Sequence, residues 1–109
     1  MTGDDFTPMR ASSFLPHTGS AFTVTGDVEG SAGGDAAGAE IVLEEVALPP
    51  ELGEESPCFV LTFSGPLERP IGQRIHELRH DVMGEIELFL VPVGPAHGRL
   101  TYEAVFNNP

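Results

Sequence analysis

Gly84-Glu85-Ile86-Glu87-Leu88-Phe89-Leu90-Val91-Pro92-Val93-Gly94 is the stretch whose reading decides the fold. Ile86, Leu88 and Leu90 alternate with Glu85, Glu87 and Phe89, the period of two that sends successive side chains to opposite faces of a sheet. This predicts a central strand with Leu88 inward and Glu87 outward. Polar residues then vanish, because Phe89, Leu90, Val91 and Val93 are all apolar, so both faces are expected to be covered there. Pro92 has no N–H to give to a ladder, so it is expected where the strand leaves its partner or bulges.

Downstream, Pro95-Ala96-His97-Gly98 turns the chain. Leu100, Tyr102, Ala104 and Phe106 then alternate with Arg99, Thr101, Glu103 and Val105, a last strand expected to pair antiparallel with Glu85 to Val91 through a loop around Val93 to Gly98. Upstream, Cys58 to Ser64 reads as a strand with Phe59, Leu61 and Phe63 on one face, stopped by Gly65-Pro66. In Glu40 to Leu48 the alternation slips: Ile41 and Leu43 share a face that Val46 and Leu48 miss, and a bulge at Glu44-Glu45 would restore it. Ser20 to Val28 is a short strand, expected near an edge, with Phe22 and Val24 inward. Ser12 to Leu15 can make one helical turn before Pro16 and Gly19 end it.

The remaining segments carry no periodicity. Residues 1–11 are expected to form a loose arm, residues 29–39 a flexible Gly-rich loop, and Pro49 to Pro57 an acidic loop. Asp27-Val28-Glu29-Gly30 lacks the alternating oxygen ligands and closing Glu of a calcium loop and reads as a polar turn. The expectation is therefore all-β: one domain over residues 1–109, of about six mostly antiparallel strands in a meander, curled into a small barrel or two-layer sandwich.

Charge narrows the partners. Five arginines face seventeen acids, a formal net charge of −12 that repels phosphate backbones, so neither nucleic acid nor an anionic membrane is expected as a partner. There is no basic, apolar leader and no run of about 18 apolar residues, which gives a cytoplasmic expectation. Cys58 stands alone, excluding an intrachain disulfide, and is expected as a buried, inert thiol.

His76-Glu77-Leu78-Arg79-His80 matches H-E-x-x-H, in which a helix places two histidines one turn apart on zinc and the glutamate polarises the bound water. Ile71, Ile75, Leu78 and Val82 fall at helical spacing, so a helix is a real alternative. Against it, no motif places a third ligand, since His97 lies in a Gly-Pro loop and His17 before the first strand. The link Asp81 to Gly84 also suits a hairpin. On a strand the two histidines lie about 13 Å apart at roughly 3.3 Å per residue, too far to share one metal.

Phe59 to Pro66, Gln73 to His80, Gly84 to Gly94 and Tyr102 to Asn107 together resemble an uncharacterised family of small bacterial proteins, a domain of unknown function. Glu-Leu-Phe-Leu-Val-Pro-Val-Gly and Tyr-Glu-Ala-Val-Phe-Asn are the specific blocks. The resemblance implies an all-β fold, a strand over Gln73 to His80, and company with phage-tail-like or tail-collar proteins; the family's strand carries an aromatic where this sequence has His76, a departure that makes the H-E-x-x-H match a coincidence of this chain. On this reading His76 and His80 flank Leu78 as partly exposed residues at the sheet margin, with no metal, cofactor or catalytic residue.

The function expected first is a non-catalytic structural or protein-interaction module, using an open strand edge or the arm to bind a protein partner or a second copy. The alternatives are a zinc-dependent hydrolase built on His76, Glu77 and His80, and a small-ligand or cation-binding barrel using the acidic face.

Overall fold

A computed structural model describes residues 11–27, 38–48, 58–68 and 70–107. The expected arm up to residue 10, residues 29–37 of the expected flexible Gly-rich loop, most of the Asp27 to Gly30 turn and the acidic loop lie outside the described residues, whereas Gly38 and Ala39, assigned to that loop, are held by backbone hydrogen bonds to Val24. A helical turn α1 (Ala11–Phe14) and a 3-10 turn (Leu15–His17) precede six strands: β1 (Ala21–Asp27), β2 (Glu40–Ala47), β3 (Cys58–Gly65), β4 (Arg74–His80), β5 (Gly84–Ala96) and β6 (Arg99–Asn107). They close into a barrel in the order β1-β2-β3-β6-β5-β4, every neighbouring pair antiparallel. The all-β expectation holds, and the barrel rather than the sandwich is realised.

The meander is broken once. β3 lies beside β6 rather than β4, so the chain crosses one mouth of the barrel between Gly65 and Arg74. Ile71 fills that mouth at 2% exposure, and its N–H donates to the Tyr102 hydroxyl at 2.9 Å. Gly65 starts the crossing in a crowded place: a Cβ there would stand 3.0 Å from Ile41 Cγ2 and 3.3 Å from Tyr102 Cε2. β1 pairs with both β2 and β4 and is no edge, because closure leaves none. The expected open strand edge is therefore corrected among the described strands.

β5 serves two neighbours in turn. Gly84 to Leu90 pair with β4, and Val91 to Ala96 pair with β6, so the expected β6 partner, Glu85 to Val91, is met only at its last residue. Closing a small barrel requires staggered, tilted strands, and one long strand then crosses from one neighbour to the next. Pro92 sits at this changeover, beside a register shift between Pro92 and Gly94, as a residue without an N–H should. The β5–β6 turn is tighter than expected: only His97 and Gly98, at φ 55° and 79°, the two left-handed positions of a type I′ hairpin.

On β2 the register shifts between Leu43 and Glu45, so Glu44 is the extra residue of the expected bulge. Beyond it Val46 packs against the core with Ile41 and Leu43. Phe22 and Val24, Phe59, Leu61 and Phe63, Ile86, Leu88 and Leu90, and Tyr102 and Ala104 fill the interior. Phe14 closes the other mouth, its ring 6.1 Å from Phe59 and 5.6 Å from Phe106, which themselves stack at 4.5 Å. Ala11, assigned to the loose arm, is buried beneath this cap.

Two burial expectations are corrected. Cys58 is exposed, because it opens β3 on the face that Val60 and Thr62 turn outward. The apolar end of β5 is covered on one face only, leaving Phe89 48% and Val93 50% exposed.

Candidate functional site

The H-E-x-x-H residues lie on strand β4, and strand parity separates them. His76, Leu78 and His80 point into the barrel while Glu77 and Arg79 point out. The glutamate and the histidines are on opposite faces, so the helical zinc motif is not formed. The histidines are also not at a sheet margin: His76 is 3% and His80 6% exposed. Inward parity on a strand closed in by β1 and β5 leaves no other place for them.

His80 is fully engaged. Its Nδ1 accepts the backbone N–H groups of Val82 and Met83 at 3.0 and 3.1 Å, holding the β4–β5 turn as a side-chain cap. The proton must then sit on Nε2, which donates to Ser20 Oγ at 2.9 Å, and the Ser20 hydroxyl in turn donates a hydrogen bond to the His17 carbonyl at 2.6 Å. The His17 ring meets His80 edge-on at 4.6 Å, and Phe22 lies 4.4 Å away on another side. Burial, and secondly the nearby His17, lower the His80 pKa below its ordinary value, with Asp81 opposing. The histidine pair that meets in space is thus His17 with His80. Sequence spacing gave no sign of it, since the two are brought together only by closure of the barrel.

His76 donates from Nε2 to the Gly72 carbonyl at 2.8 Å, bracing the crossing segment. Its Nδ1 is buried without a hydrogen-bond partner. Among the described residues no three His, Cys, Asp or Glu side chains are grouped to hold a metal ion. No helix among them is long and apolar enough to cross a membrane.

A polar strut lies outside the barrel. Ser64 Oγ donates to Glu44 Oε2 at 2.6 Å, while Arg99 donates from Nε to Ser64 Oγ at 3.0 Å and from Nη2 to the Ser64 carbonyl at 3.2 Å. The bulge at Glu44 and the tight turn before Arg99 bring these residues to one serine. The strut ties β2, β3 and β6 together.

The surface also carries exposed apolar side chains. Ile75 on β4 is in register with Phe89 on β5, and on the far side of the sheet Ala47, Val60 and Val105 are in register across β2, β3 and β6. Phe89 and Val105 each lie two residues from Val91–Glu103, the pair at which the β5–β6 ladder ends, and both face outward, so the two rows, called the belt, stand on the same outer surface. Val105 is 65% exposed and Ile75 37%. At the Phe14 mouth the belt runs into an apolar cleft of about 460 Å³, lined by Ala47, Leu48, Cys58, Phe59, Val60, Val105 and Phe106. The signal for the belt was present in the sequence, where Phe89 shares the parity of Glu85 and Glu87.

A family model described as Domain of unknown function (DUF6916) matches residues 9–106. A small closed barrel of six antiparallel strands is the class of fold this chain presents, and the chain belongs to that family. Neither a curated protein nor a solved structure matches it.

Proposed function

We propose that this protein is a non-catalytic structural or protein-interaction module, and that the outward belt through Ile75, Phe89 and Val105 is its docking surface. The observation that carries this reading is the exposure of Phe89 and Val105, 48% and 65%, in adjacent strands of a barrel whose interior is already filled. Large apolar side chains clustered in register on an outer sheet face are a feature of protein interfaces. The mode is face docking rather than strand addition, because a closed barrel offers no edge. The phage-tail-like, bacterial setting implied by the sequence resemblance is a multi-subunit assembly of the kind such a module would serve.

Site-directed photo-crosslinking in the cells that make the protein tests this. A photoreactive phenylalanine at position 89 or 105 should yield one discrete protein adduct that the same group at exposed Glu68 does not. Equal adduct patterns at all three positions, or none at 89 and 105, would contradict the reading.

A further inference from the structure

We infer that the belt takes a cationic protein partner, one whose apolar ridge has lysines or arginines next to it. This rests on the reading of the belt as a docking surface and adds its chemistry.

Each part of the belt is bordered by acids on one side. Toward the Phe14 mouth, Glu77 and Glu87 are directly in register on β4 and β5, both exposed. Beside the row of Ala47, Val60 and Val105, Glu45 and Glu103 are each in register with Thr62 of β3. Like charges directly across a sheet oppose folding, and no ion pair among the described residues neutralises Glu77, Glu87 or Glu103. The Glu77 carboxylate instead leans over β1, where Oε1 would stand 3.7 Å from a Cβ on Gly26. Two cations stand near these borders: Arg79, in register with Glu85, and Arg99, which is held on Ser64 two residues from Thr62.

An unneutralised pair of this kind is unfavourable for the isolated barrel and becomes favourable when a positive group sits between the carboxylates. The same borders disfavour a second copy. A two-fold contact through the belt would set identical acidic rims of chains carrying a net charge of −12 against each other. Neutral apolar partners would fill the belt and leave the acids beside it unpaired, so complementarity selects an apolar ridge with cations next to it.

The test uses the full chain labelled with ¹⁵N and three synthetic 14-residue amphipathic peptides: leucines flanked by lysines, the same leucines flanked by glutamines, and the lysine peptide with serines for leucines. The lysine–leucine peptide should shift the amides of Ile75, Phe89 and Val105. Its affinity should fall at least tenfold for each control peptide, for Phe89→Ser and for the double variant Glu77→Gln with Glu87→Gln. It should also weaken steeply between about 50 and 200 mM salt.

If the glutamine peptide binds the belt as tightly as the lysine peptide, the cationic inference is overturned while the docking surface stands. If the lysine peptides shift amides over the whole acidic surface and Phe89→Ser changes nothing, both fail. Self-association by sedimentation that Val105→Ser abolishes would make a second copy the occupant and overturn the inference.

Discussion

Tyr102 reaches from β6 to the far mouth of the barrel and accepts the backbone N–H of Ile71 at 2.9 Å, with both residues buried. This bond holds the one segment that breaks the meander. Without it the buried Ile71 N–H loses its acceptor. Tyr102→Phe keeps the ring and its packing and removes only the acceptor, so it should cost about 1 to 3 kcal/mol, the desolvation penalty of a buried unpaired donor. Urea unfolding measures it. A change below about 0.5 kcal/mol would mean that the crossing segment is held by Ile71 packing alone.

His80 makes stability depend on pH. Its Nδ1 lone pair faces two N–H donors, and its pKa is lowered from 6.5 in the folded state by burial and by His17. In the unfolded chain it returns to about 6.5. Between those two values the unfolded state binds more protons, so stability is full above about pH 6.5 and falls as pH drops toward the lower folded value. The Tm should therefore fall from pH 7.5 to 5.5, and His80→Gln should flatten that slope. An equal slope in both proteins would remove His80 from the account.

The β4 histidines should not confer tight zinc binding. His80 has both ring nitrogens engaged, and Glu77 projects from the opposite face. Purified protein is expected to hold well under one equivalent of zinc, and a chelator should leave its Tm unchanged. Stoichiometric zinc, lost in both His76→Ala and His80→Ala, would contradict this and restore the hydrolase reading.

Much of the fold was legible because strand parity is a local signal. The inward sets of β1, β3 and β5, the bulge at Glu44 and the break at Pro92 follow from apolar alternation and from the missing proline N–H. β4 was ambiguous because Ile71, Ile75, Leu78 and Val82 also suit a helix. The barrel splits that stripe, burying Ile71 and Leu78 while leaving Ile75 37% and Val82 74% exposed. Pairing with β1 and β5 outweighs local periodicity there. What no local signal carries is which distant strands meet. The β3–β6 and β1–β4 pairings decide that His17 reaches His80, that Arg99 reaches Ser64 and that Val105 joins the belt. Cys58 was misplaced for a simpler reason: thiols favour burial on average, but parity at the start of β3 turns this one outward.

The apolar side chains of β5 divide by parity into a folding core and an exposed belt. Urea unfolding of two neighbours tests this division most directly. Leu88→Ala, at a position 2% exposed, should cost about 2 to 5 kcal/mol by opening a cavity. Phe89→Ser, at a position 48% exposed and in register with Ile75, opens no enclosed cavity and should cost about 1 kcal/mol or less. Comparable losses for the two would contradict the division, because Phe89 would then be a residue of the folding core.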